Sequence, residues 1–225
     1  MSRRRLKFWG AIALLIAGIC SADAAWAQEH HHGHGAESEA PVTRPQVYLD
    51  KSPRIVQYQL GRLDNERLLL VERATDDPKY KPVFTAILLR AGMARQDRDE
   101  ALHGLMVLNE SDATAELLAA LETLKTDDRE QKRVAKQLAD MLLDQPAEKL
   151  AAQSDLLTSA TESKQPFLRT VGYAGLMTAG KLDETPIAEQ AQLDLLAGIA
   201  LVPVEEVRAK QFDAVAQLVD EANPA

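Results

Sequence analysis

Cysteine occurs once in this chain, at Cys20, tryptophan twice, at Trp9 and Trp26, and aromatic residues make up only 4% of it. All three of those residues fall within the first 27 positions. The remainder holds no cysteine, so no disulfide braces it and its stability must come from an apolar core. The scattered aromatics (Tyr48, Tyr58, Tyr80, Phe84, Phe167, Tyr173, Phe212) are too sparse for a base-stacking platform and are expected to fill gaps between helices. Cations are the minority, 26 Lys+Arg against 34 Asp+Glu for a net charge of −8. That balance argues against nucleic acid or an anionic membrane as a partner. Sustained two-residue alternation of apolar and polar side chains is missing, so no sheet is expected. Long apolar runs are missing too, with one exception.

The exception is "FWGAIALLIAGIC" (8–20), preceded by Arg3, Arg4, Arg5 and Lys7 and followed by Ala25-Trp26-Ala27. A basic start, a short apolar stretch and a small-x-small site read as a signal peptide over 1–27 rather than a membrane span. Ala22-Asp23-Ala24 is a second cleavage candidate. "SRRRLK" (2–7) matches a twin-arginine signal only in part, so general secretion is preferred. Ile19 is a poor neighbour for a lipid-bearing Cys20. The expected location is exported: periplasmic, or else secreted. Cleavage after Ala27 removes four basic residues and one acidic one; Lys+Arg falls from 26 to 22 and Asp+Glu from 34 to 33, giving −11. The 198 residues that remain suffice for one sizeable domain. Residues 28–46 read as a disordered His-, Glu- and Pro-containing linker, 47–221 as a helical domain and 222–225 as a tail.

Helix-start signals recur along that domain. Ser52-Pro53, Asp64-Asn65, Pro82, Ser111-Asp112, Thr126-Asp127, Pro146, Pro166, Thr185-Pro186 and Pro203 each precede an apolar-periodic run. Ser, Thr, Asp and Asn accept from the free N–H groups of a first turn, and proline loses nothing there. Glu130 stands three residues after Asp127, the spacing of a capping box. Ala113, Leu117, Leu118, Leu121 and Leu124 share one helical face, as do Val134, Leu138, Met141 and Leu142. Gly180 reads as a helix stop, and Gly172 and Gly175 as sites of close helix packing.

Aligning arginines exposes a repeat: "RDEALHGLMVL" from Arg98, "RVAKQLADMLL" from Arg133, "RTVGYAGLMTA" from Arg169 and "RAKQFDAVAQLV" from Arg208, spaced by 35, 36 and 39 residues. Each arginine precedes an apolar ridge (Leu102 and Leu105; Leu138 and Met141; Val171 and Leu176; Phe212 and Val215), and each unit follows another amphipathic helix. One such pair cannot bury its own apolar face, so neighbours must stack. The repeat resembles HEAT-like repeats, which implies an all-α fold, a right-handed α-solenoid of helix pairs. The alternative is an irregular helical bundle. More specifically, "YQLGRLDNERLLLVERATDDPKYKPVFTAILLRAGMARQDRDEALHGLMVLN" (58–109) resembles a segment of exported planctomycete-type bacterial proteins. There it accompanies c-type cytochrome or haem-binding domains in large dehydrogenase-like polypeptides. This chain has no C-x-x-C-H, so it cannot hold a covalent haem itself. What the resemblance implies is a scaffold beside a separate cytochrome or dehydrogenase.

Catalytic patterns are sparse. G-x-S-x-G, H-E-x-x-H and Walker-type stretches are absent, and Ser154, Ser159 and Ser163 have no histidine in sequence reach. His103 lies four residues after Asp99, one face of a helix, a pair that reads as a surface contact. Four of the five histidines, His30, His31, His32 and His34, crowd into "QEHHHGHG" (28–35). Cleavage after Ala27 would leave Gln28-Glu29-His30 as a terminus whose amine, two backbone nitrogens and imidazole form a square-planar set suited to Cu(II) or Ni(II). Otherwise the cluster is a hydrophilic spacer. The expected function is therefore a non-enzymatic, exported scaffold for protein–protein interaction, with Arg90, Arg95, Arg98 and Arg169 as contacts to an acidic partner or as bridges between helices. The alternative is a periplasmic copper- or nickel-binding protein working through its N-terminal tail.

Overall fold

A computed structural model describes residues 43–182 and 192–212 of the chain. The signal segment, His30, His31, His32 and His34, the start at Thr185-Pro186, Val215 and the 222–225 tail all lie outside the described residues. The described residues are helical and contain no strand.

The elements begin where caps and prolines place them. Pro53 opens α1 (Pro53–Gly61). Asp64 caps α2 (Asn65–Leu69), its side chain accepting from Arg67 N–H. Asp77 caps a single 3-10 turn (Pro78–Tyr80) that leads into α3 (Lys81–Leu89). Two later starts differ in kind: α4 (Arg95–Asn109) follows Ala94, which offers no side-chain acceptor, while Asp112 caps α5 (Ala113–Thr123). The cap of α6 (Arg129–Leu143) corrects the expected box. Asp128, not Asp127, accepts from Gln131 N–H at 2.8 Å. Gln131, not Glu130, reaches back, its Oε1 accepting from Lys125 N–H at 2.8 Å. Then come α7 (Ala147–Ala152), α8 (Ser154–Thr161) and α9 (Pro166–Thr178). Gly180 adopts φ +66° after α9, and Lys181 N–H closes onto Leu176 O at 2.8 Å, the αL stop expected there. Last are α10 (Gln192–Ile199) and a helical stretch at 205–212.

Consecutive helices pair: α3 with α4, α5 with α6, α8 with α9. Two close approaches give the direction of pairing. A Cβ on Gly104 would stand 2.5 Å from the Phe84 ring, and one on Gly175 would stand 2.6 Å from Leu157 Cδ2. Gly172 sits against Leu157 O and Thr161 N, each 2.9 Å from where its Cβ would be. With Arg98 at Leu88, these contacts make α3/α4 and α8/α9 antiparallel hairpins. α9 also receives α6, α7 and α10 and is the most enclosed helix, with Leu168 and Thr170–Met177 all buried. A single apolar core runs from Val56 to Val202. The ridges anticipated after the repeated arginines lie in it: Leu102, Leu105, Leu138, Met141, Val171 and Leu176 are buried. Phe212 is the exception, 60% exposed. Of the aromatics, Tyr80, Phe84 and Tyr173 fill the interior, whereas Tyr48 and Tyr58 do not. Among the described residues no helix is long and apolar enough to cross a membrane.

Candidate functional site: arginine bridges and an open groove

A helix ends with unpaired carbonyls at the negative end of its dipole, and a nearby cation satisfies both. α1, α3 and α8 carry no basic residue in their last turns. The cation comes instead from further along the chain. Arg90 donates to Leu60 O at 2.7 Å and Leu63 O at 3.1 Å, closing α1. Arg98 donates from Nη1 to Leu88 O and from Nη2 to Arg90 O, closing α3. Arg169 donates to Ser163 O at 3.1 Å, just beyond α8. Arg208 donates to Val202 O at 3.4 Å, in the turn after α10. Three of the four aligned arginines thus donate to carbonyls at or just beyond the end of the preceding helix. Arg133, the fourth, is exposed.

Arg98 is 1% exposed and has no carboxylate beside it. Its remaining contact is Gln137 Oε1 at 3.0 Å, and its Nε has no acceptor. Burial pushes its pKa below the ordinary guanidinium value, yet a guanidinium stays charged at any physiological pH. The compensation is the carbonyl end of α3. Of the two roles expected of it, Arg98 takes the bridge between helices, joining α4 to the end of α3 and to Gln137 of α6. Arg90 and Arg169 are half-buried, and Arg169 Nε also reaches Asp194 at 2.6 Å, tying α9 to α10. Arg95 alone of the four is half-exposed at the side chain, pairing with Asp99 and Asp144 at 3.1 Å each. Asp99 is committed to Arg95 and His103 is exposed, so the structure does not join Asp99 to His103. Ser159 donates to Asp155 O, and Ser163 accepts from Gln165 N–H. The first bond lies within α8 and the second in the turn before α9. Among the described residues no group of three or more His, Cys, Asp or Glu side chains is placed to hold a metal.

Sequence reasoning missed a groove of about 730 Å³ where α1, α3 and the start of α6 meet. Leu60, Ala86, Leu89 and Val134 make its apolar floor, and Gly61, Thr85 and Ala91 leave it open because they are small. A Cβ on Gly61 would meet nothing within 4 Å. Lys81 and Arg90 stand on the α3 side, and Asp128 and Glu130 on the α6 side. The volume and the mostly apolar lining with a few charged groups are those of a binding cleft. Its residues come from three separated stretches, so no local motif announces it. A second cleft of about 770 Å³ lies between α5, α8 and the turn before α9, and a third, of about 640 Å³, is lined by residues 44–50 with Val71 and Tyr80. The segment just before position 47 therefore borders the folded body. Compared with known protein families, curated proteins and solved structures, the chain matches none.

Proposed function

We propose that this chain is an exported, non-enzymatic scaffold: a HEAT-like solenoid of helix pairs that holds a protein partner in the groove between α1, α3 and α6. The observation that carries this reading is the recurrence of one device, an arginine near the start of a helix donating to a carbonyl at or just beyond the end of the helix before it, at Arg98, Arg169 and Arg208. A structural unit that repeats stacks on its neighbours and leaves long surfaces for binding. The partner in view is a periplasmic cytochrome or dehydrogenase, as the resemblance over 58–109 implies.

The test is site-specific photo-cross-linking in the native cell, with the probe at Thr85 or Gln57 in the groove and, as control, at exposed Lys149. A reproducible adduct from the groove positions alone, lost on filling the groove with Ala86→Trp, is the expected result. Equal labelling from Lys149, or no adduct, overturns the reading. The N-terminal sequence favours a second reading, in which Gln28-Glu29-His30 binds Cu(II) or Ni(II) after cleavage. Intact mass of the exported protein fixes the cut, and copper titration of His30→Ala beside the unaltered chain decides it; equal weak binding removes it.

A further inference from the structure

Four cations, Arg129, Lys132, Arg133 and Lys136, stand on one outward face of α6 at the i, i+3, i+4, i+7 spacing. All four are exposed, and none is ion-paired among the described residues. Only Lys136 is near a carboxylate on that face, Asp140 one turn on. This placement works against the helix in two ways. Cations in the first turns oppose the positive end of the dipole. Neighbours three and four apart repel, as in Arg129/Lys132, Arg129/Arg133, Lys132/Lys136 and Arg133/Lys136. Some other surface cations are paired, Arg95 with Asp99 and Asp144 and Arg73 with Glu100, while Arg54, Lys149 and Lys164 are exposed single charges rather than a row. The carboxylates that open α6 are kept off the stripe, Asp128 at the cap and Glu130 over the groove. A local rule broken with no compensating contact inside the fold marks a functional surface.

We infer that the outward face of α6 docks an acidic segment of a partner protein, with carboxylates at helical spacing; this rests on the scaffold reading and names the chemistry of its partner. The stripe covers about 10 Å of helix and is closed by acid at both ends, by Asp127 and Asp128 before it and Asp140 and Asp144 after it. That bounded length suits a short segment. A duplex or an anionic bilayer presents an extended run of anions, which the acidic residues at both ends of this short stripe oppose.

The experiment measures fluorescence anisotropy of a short fluorescein-labelled polyglutamate peptide with the exported chain at low ionic strength. The variant Arg129→Gln/Lys132→Gln/Arg133→Gln is compared with Arg54→Gln/Lys149→Gln/Lys164→Gln, which has the same net charge. The stripe variant is expected to bind about tenfold or more weakly, to melt no lower than the unaltered chain, and to leave the control variant's binding as the reference. Equal loss in both variants, or no binding to the unaltered chain, overturns the inference. So does tighter binding of a duplex oligonucleotide or of phosphatidylglycerol vesicles than of the peptide. Those outcomes leave the groove cross-links untouched, whereas loss of the cross-links with peptide binding intact removes the scaffold reading and not the stripe.

Discussion

α4 and α6 are both 15 residues long, and each is the second helix of a hairpin, yet they handle their arginines in opposite ways. α4 starts without a side-chain cap at Ala94, buries Arg98 against the end of α3 and pairs Arg95 on the surface. α6 is capped by Asp128 and turns its cations outward, unpaired. The difference arises in the turns before them. The α3–α4 turn brings Leu88 O and Arg90 O within reach of a guanidinium, whereas the α5–α6 turn is closed by Gln131 accepting from Lys125 N–H. The carbonyl end of α5 is served from elsewhere, Gln165 Nε2 donating to Glu122 O at 2.6 Å, and Arg133 stays exposed.

The sharpest way to break the comparison is Arg98→Ala. It strips buried carbonyls of their donor and leaves a void, for a loss of about 3 kcal/mol or more in urea unfolding; a loss below about 1 kcal/mol would mean that α3 is closed by something else. Gly104→Ala comes next. Alanine is the better helix former, but Phe84 is buried and cannot retreat from a new Cβ at 2.5 Å. A net cost of about 1–3 kcal/mol is expected, read as a lowered melting temperature. The caps follow. Asp128→Ala should cost about 1 kcal/mol, and Ala94→Asp should gain a similar or smaller amount by giving α4 the cap it lacks; a gain at α4 equal to the loss at α6 would make the two starts equivalent. Smallest is Arg133→Ala, expected within about 0.5 kcal/mol of the unaltered chain. A cost comparable to that of Arg98→Ala would show that the two arginines do the same work after all.

Much of the helical layout was legible in the residues. Pro53, Asp64, Asp112 and Pro166 open helices where their chemistry places them, and Gly172, Gly175 and Gly180 take the roles that close packing and a left-handed stop demand. The cap of α6 was missed by one residue because Asp127 and Asp128 are chemically the same and only the turn geometry chooses between them. The repeated arginine was legible as a position but not as a destination: Arg98 and Arg133 occupy the same place in the repeat, and distant carbonyls decide which is buried. The groove was illegible for a related reason, since its walls come from 53–61, 81–91 and 128–134.

The imported cations also bear on how the chain opens. Because α1 and α3 are finished by Arg90 and Arg98, side chains from later in the chain, neither helix is complete until that later part has docked. Loosening α4 withdraws the guanidinium from α3, and α3 then frays at its last turn. Exposure passes backward along the chain, from α4 to α3 within their hairpin and from Arg90 at the end of α3 to α1. Amide hydrogen exchange should register this as shared protection factors across each arginine link, with α3 and α4 exchanging together, and a weaker coupling at the α5–α6 junction, where the link is a neutral glutamine.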